Sequence, residues 1–395
     1  MTLRRYYKAL ALGFKCCKLF FITAILLVHS KSLAIEKHDR LASPTITTAT
    51  EIFTNGAIYT VNPKQPWAEA IAISGNKIIY VGSSDEAMKF ANSKTLITEL
   101  NGKMMLPGFH DVHMHPIESA SENTLFTLNT QEHDAENFAD TIAYAARRNP
   151  SADWLIGYGH TIATLLDAER PVVDIIDDVV PDRPVIIMEQ TSHSMWVNSA
   201  ALEAAGINDN SPDPIGGVIL RDELTDEPNG ILIDNAGNIA MDIALRPTAK
   251  RQQRDYDGLV EYTLPELAKH GITSISDARS FWQRDDHLTW IKVNNDEELT
   301  ARVNVGLWAY PDMNDSKQLA KLKSLYMNDE DSLLKFNQIK LYSDGILVNG
   351  TAAMLAPYKV DLIGLAGNRG LNYFDQNRLA YYIKKLEAIG FDFNI

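Results

Sequence analysis

Two histidines one residue apart close the run Met104-Met105-Leu106-Pro107-Gly108-Phe109-His110-Asp111-Val112-His113-Met114-His115. Side chains two apart on an extended strand point to the same side, so His113 and His115 can face one metal ion together. Neutral imidazole suits zinc, iron, nickel or copper, and two of them at a strand end leave positions open for water and substrate, as a hydrolytic site requires. A bare His-x-His pair also occurs as two polar loop residues, so the flanking residues decide. Lys340, in Ile339-Lys340-Leu341-Tyr342-Ser343-Asp344-Gly345, is the other candidate. Between apolar neighbours its ammonium is desolvated, which lowers the pKa and yields a neutral, reactive amine; at a solvated strand end it stays an ordinary cation.

These residues need a scaffold that brings distant strand ends together. Residues 262–270 read as helix and 271–277 as strand, 301–307 and 339–341 as strands, 379–389 as helix and 391–395 as strand. Strands alternating with helices imply a parallel sheet, here a (β/α)8 TIM barrel, whose active site lies at the carboxyl ends of the strands. His113, His115, Asp277 and Lys340 all fall at such ends. Only about strands one to five are found, with a long insertion after the first, at about 116–260. Within it 154–159 and 184–188 read as buried strands, and 135–147 and 199–205 as helices, the latter closed by Gly206 as a C-cap and opened by Asn198 or Ser199. Ahead of the barrel, 51–103 reads as a small antiparallel sheet portion, with Asn55-Gly56 and Gly75-Asn76 as its turns.

Pro-Gly-Phe-x-Asp-x-His-x-His resembles the first-strand signature of the metal-dependent amidohydrolase superfamily. Other stretches resemble its branch of N-substituted formamide deformylases and D-aminoacylase relatives, amidohydrolase family 3, from about residue 51 to 395. The resemblance implies that 51–103 is part of a β-sandwich and that 104–395 is a partial metal-hydrolase barrel. It implies that His113, His115 and Lys340 hold zinc or another divalent metal, as one or two ions, and that Lys340 can be carbamylated to bridge a pair. Thr191-Ser192-His193-Ser194-Met195-Trp196-Val197-Asn198-Ser199 resembles the branch's Gly-His-x-x-Trp-Val-Asn-Ser, with Ser192 in place of the glycine. That places His193 and Trp196 in the substrate pocket, although core packing is the plainer reading of Trp196. Asp277 and Asp344 are expected to hydrogen-bond the ligating groups from behind, Asp111 to order its loop and Asp234 to cap a helix. His160 is read as exposed, beside the pocket at most, and His110, His133 and His270 as surface residues. The resemblance also implies a histidine after strand five, another after strand six and an aspartate at strand eight, none of which the sequence contains. The expectation is therefore a chain cut short, lacking its general acid/base. Its activity is a metal-dependent hydrolysis of a small amide's carbon–nitrogen bond, or, alternatively, it is a non-catalytic half-barrel that binds metal or a partner.

The rest of the chain narrows the class. With 395 residues, 45% hydrophobic and 22% charged, the composition is that of an ordinary globular protein. Arg4, Arg5, Lys8, Lys15 and Lys18 precede an apolar segment over 19–28, and Ser32-Leu33-Ala34 offers small residues for cleavage, so 1–34 reads as a signal peptide and 35–50 as a linker. The expected location is the periplasm or the medium, with no stable membrane span after cleavage, since about ten apolar residues are half of what a span needs. Both cysteines, Cys16 and Cys17, lie in that leader, so no disulfide staples the remainder. The net charge of −14 argues against nucleic acid or anionic membrane as a partner and leaves a small molecule. Oligomeric state and substrate identity are not legible.

Overall fold

The computed structural model describes residues 47–120, 123–365 and 367–395. The signal peptide expected over 1–34 and most of the linker lie outside the described residues. The chain divides into two compact units, one ending at Met105 and one beginning at Leu106. Among the described residues no helix is long and apolar enough to cross a membrane.

The first unit holds two small sheets. In one, Lys77–Gly82, Ala70–Ser74, Glu51–Thr54 and Leu96–Glu99 lie side by side; in the other, Trp67–Ala68, Ala57–Tyr59 and Met104–Met105. Gly75 and Asn76 form the expected antiparallel hairpin, Ser74 pairing with Lys77. Asn55-Gly56 does not. Glu51–Thr54 pairs with Ala70–Ser74 and Leu96–Glu99, whereas Ala57–Tyr59 belongs to the other sheet. Asn55 adopts a φ of 52°, and that left-handed residue passes the chain from sheet to sheet instead of folding it back on itself. Ile52, Ala70, Ala72 and Ala87 are fully buried in this unit.

The second unit contains a five-stranded, all-parallel sheet in the order Asp392–Asn394, Leu334–Lys340, Arg302–Trp308, Ile272–Ser280, Phe109–Met114. These are the first to fifth strands read from the sequence, and they curve as half a barrel. Parallel strands covered on both faces are near-continuously apolar: Val303, Val305, Leu307, Leu334 and Ile339 are all fully buried. Trp290, Leu322, Tyr382 and Leu386, from the helices Asp286–Asn295, Asp315–Leu325 and Gln376–Glu387, belong to the same core. The first strand has a neighbour on one side only among the described residues, and Phe109 and Val112 are exposed.

Between the first and second strands the chain builds another, mixed sheet, in the order Gly217–Arg221, Pro228–Asp234, Ser194–Val197, Val185–Glu189, Leu155–His160, Phe126–Thr127. The strands read at 154–159 and 184–188 are two neighbouring strands of it. Asn198 caps the helix Ser199–Ala205, its Oδ1 accepting from the Ala201 amide at 3.0 Å and the Val185 amide at 2.9 Å. Its Nδ2 donates to the Val180 and Arg183 carbonyls, each at 2.9 Å, so one buried amide ties four backbone groups together. Gly206 ends the helix at φ 69°.

Candidate active site

The first strand delivers both imidazoles where the half-barrel's strands end. The Asp111 carboxylate accepts from the His113 amide at 3.0 Å, ordering the turn as expected. The rings of His113 and His115 stand perpendicular, with centroids 5.4 Å apart. Partial desolvation and then the Lys340 and Arg279 cations lower the His113 pKa. Burial brings His115 down to about 4, with Glu118 pulling the other way. Both rings are therefore neutral at pH 7, the protonation state that ligates. His115 Nδ1 is buried and makes no hydrogen bond; the Glu118 carboxylate stands off at 3.9 Å.

Lys340, at the end of the fourth strand, is 6% exposed. Its Nζ donates to Asn394 Oδ1 at 2.9 Å and lies 5.2 Å from the centre of the Tyr342 ring. Burial, and then Arg279, lower its pKa. The structure thus brings His113, His115 and Lys340 to one place. Among the described residues, however, no group of three His, Cys, Asp or Glu stands where it could hold a metal ion.

Three groups that the sequence reading missed complete this surround. Arg279 donates through Nη2 to both oxygens of Glu118 at 3.1 Å and through Nη1 to the Tyr342 hydroxyl at 2.8 Å. Burial pushes Glu118 up, but Arg279, His115 and Arg284 together outweigh burial and hold the carboxyl below its usual range. The signal available in the sequence was slight: an arginine two residues after a strand-end aspartate, and a glutamate three after His115.

The expected second layer is built differently. Asp277 accepts from Trp290 Nε1 at 2.8 Å, and burial raises its pKa well above the usual carboxylate range, so it faces the covering helix and not an imidazole. The pairing register slips between Asp277 and Ser280, and that irregularity turns Asp277 one way and Arg279 the other, although strict alternation would put them on one face. Asp344 accepts from Ser343 Oγ at 2.7 Å and from the Ala353 amide at 2.8 Å, shaping its own loop. Asp234 makes no side-chain cap; at φ 51° it turns its carboxylate to His193, whose Nδ1 lies 2.6 Å from Oδ1. His193 stacks on Tyr342, with centroids 5.8 Å apart and planes 16° from parallel, and so connects the inserted sheet to the end of the fourth strand.

His160 is not exposed but 1% accessible, its Nε2 3.0 Å from the Ile187 carbonyl, because the strand Leu155–His160 runs one residue further into the sheet than its apolar run. Trp196 leaves the pocket altogether: it is 0% exposed, and its Nε1 donates to the Val172 carbonyl at 2.8 Å. Trp196→Phe should cost about 1–3 kcal/mol in urea unfolding, from lost volume and an unpaired carbonyl, while leaving metal affinity unchanged. Unchanged stability with altered substrate affinity would return Trp196 to the pocket. His110, His133 and His270 are exposed, as expected.

Residues 97–395 match the model of the Amidohydrolase family, and the chain belongs to that family. It is 29% identical over 349 residues to the putative amidohydrolase YtcJ of Bacillus subtilis, covering 86% of this chain and 62% of that protein. It is 27% identical over 228 residues to the N-substituted formamide deformylase of Arthrobacter pascens, covering 57% of this chain and 41% of that one. Its fold matches a crystal structure of an uncharacterized metal-dependent hydrolase from Pyrococcus horikoshii, with a TM-score of 0.61 and 21% identity over 87% of this chain and 64% of that chain. The chain thus spans less than two thirds of the length of each of these relatives.

Proposed function

We propose that this protein is an exported, metal-dependent hydrolase that cleaves the carbon–nitrogen bond of a small amide. The observation that carries the reading is the meeting of two imidazoles, both disfavoured from protonation, with a desolvated lysine, one imidazole nitrogen being buried and unpartnered. These donors fit a divalent ion such as zinc. His113 and His115 would hold it, with Lys340 as third ligand, free or carbamylated, for one ion or two. An ion there supplies Lewis acidity toward the amide carbonyl and makes water nucleophilic near pH 7. Arg279 keeps Glu118 ionised near His115, its carboxylate 3.9 Å from Nδ1, and Tyr342 packs His193 where it can contact substrate. The similarity to the N-substituted formamide deformylase of Arthrobacter pascens makes N-substituted formamides the first substrates to try.

The lack of a third His, Cys, Asp or Glu among the described residues favours one competing reading, a half-barrel that binds metal without turnover. Amine release from a panel of N-substituted formamides and N-acyl amines separates the two. On the hydrolase reading, release is abolished by a chelator and restored by zinc. Stoichiometric zinc without release from any member of the panel would overturn it in favour of the binding protein.

A further inference from the structure

The second unit contains a cavity of about 250 Å³ outside the candidate active site, bounded by the turn after the helix Ala139–Arg148 and by the helix Ala249–Asp257. Five cationic side chains line it, Arg148, Arg246, Lys250, Arg251 and Arg254, against one carboxylate, Asp153. Arg251 is neutralised from behind, by Asp286 at 2.6 Å and Asp255 at 3.1 Å. The other four form no ion pair with any acid among the described residues, and Arg254 Nε is buried without a hydrogen-bond partner.

Both walls are held rigid. Arg183 donates to the Asn149 carbonyl at 2.6 Å and the Ala146 carbonyl at 3.1 Å, tying down the wall that carries Arg148. Arg251 donates to the Leu245 carbonyl at 2.9 Å, fixing the opposite wall beside Arg246. In a chain of net charge −14, four uncompensated cations around one concavity run against the sign of the whole surface. A concentrated positive potential of this kind attracts small anions, and guanidinium groups bind phosphoryl and carboxylate oxygens through paired N–H donors. The cavity's size suits a small metabolite, not a polymer.

We propose that this cavity binds a small polyanion, bearing a phosphoryl group or several carboxylates, at a site separate from the hydrolytic one. The test is calorimetric titration of the full chain with inorganic pyrophosphate and with citrate, at about 50 and 200 mM salt. One ligand per chain is expected, with affinity falling as salt rises. Arg148→Gln and Lys250→Gln, both at exposed positions, and Arg254→Gln should each weaken it about tenfold, with Arg254→Lys recovering part of the loss. Binding of pyrophosphate alone would assign a phosphoryl ligand, and binding of both a ligand chosen by charge. The His113→Asn/His115→Asn variant must bind as the parent does. Absence of saturable binding of either anion at low salt, equal affinity in the arginine and lysine variants, or loss of binding in the histidine variant would each overturn the proposal.

Discussion

His113→Asn/His115→Asn should lower zinc affinity by at least about a hundredfold, or roughly 2.7 kcal/mol at about 1.4 kcal/mol per decade. The rings stand 5.4 Å apart, both disfavoured from protonation, and removing them leaves Lys340, already engaged by Asn394, as the remaining donor. Glu118→Gln should have a smaller effect, about tenfold, because it removes a negative charge near His115 and not the ligand itself. Competition against a chromophoric chelator reads both. Equal affinity in the parent and the double variant would show that zinc binds elsewhere and would withdraw His113 and His115 as ligands.

The metal-free protein should lose stability as pH falls from 6.5 toward 4, through His115. Unfolded, its imidazole takes a proton near 6.5; folded, burial delays protonation to about 4. Between those values the unfolded chain binds more protons, so acid favours unfolding, and the contribution is complete above 6.5 and gone below 4. The span corresponds to about 3 kcal/mol as an upper bound, reduced toward 2 because solvent reaches part of the ring. Asp277 works in the opposite direction, since burial raises its pKa, and the two must be separated. Urea midpoints of parent and His115→Gln at pH 7 and pH 4.5 do so, the acid-induced loss being smaller in the variant. Equal losses in the two proteins would mean that His115 is not responsible.

The parts of the fold legible in the sequence are those set by local pattern. Apolar strands alternating with helices located the second to fifth barrel strands, because a strand buried on both faces must be apolar along its length, whereas the first, with Phe109 and Val112 exposed, was legible from its His-x-His motif. Asn198 and Gly206 were legible because capping is chemistry between neighbours in the chain. The His113–His115 pair was legible for the same reason, lying on one strand. What joins distant segments was not. Arg279 meets Glu118 across 161 positions and Asp234 meets His193 across 41, and no periodicity encodes either. Asp277 was assigned to the wrong side because alternation was assumed through a register slip, and Asn55-Gly56 to a hairpin because a turn dipeptide does not say which sheet receives the next strand. Trp196, whose motif resembles a binding loop, lies in a strand at the centre of the inserted sheet.

The insertion also imposes an order in time. The strand carrying His113 pairs with Ile272–Ser280, and about 160 residues of other structure are synthesised between them, so at roughly 5–20 residues per second the first strand waits some ten to thirty seconds for the one partner it has among the described residues. The inserted sheet, whose strands lie much closer together in the chain, can fold in that interval. The imidazole pair then meets Lys340 later still, so nascent chains carry an unassembled candidate site and an unpaired strand within reach of chaperones.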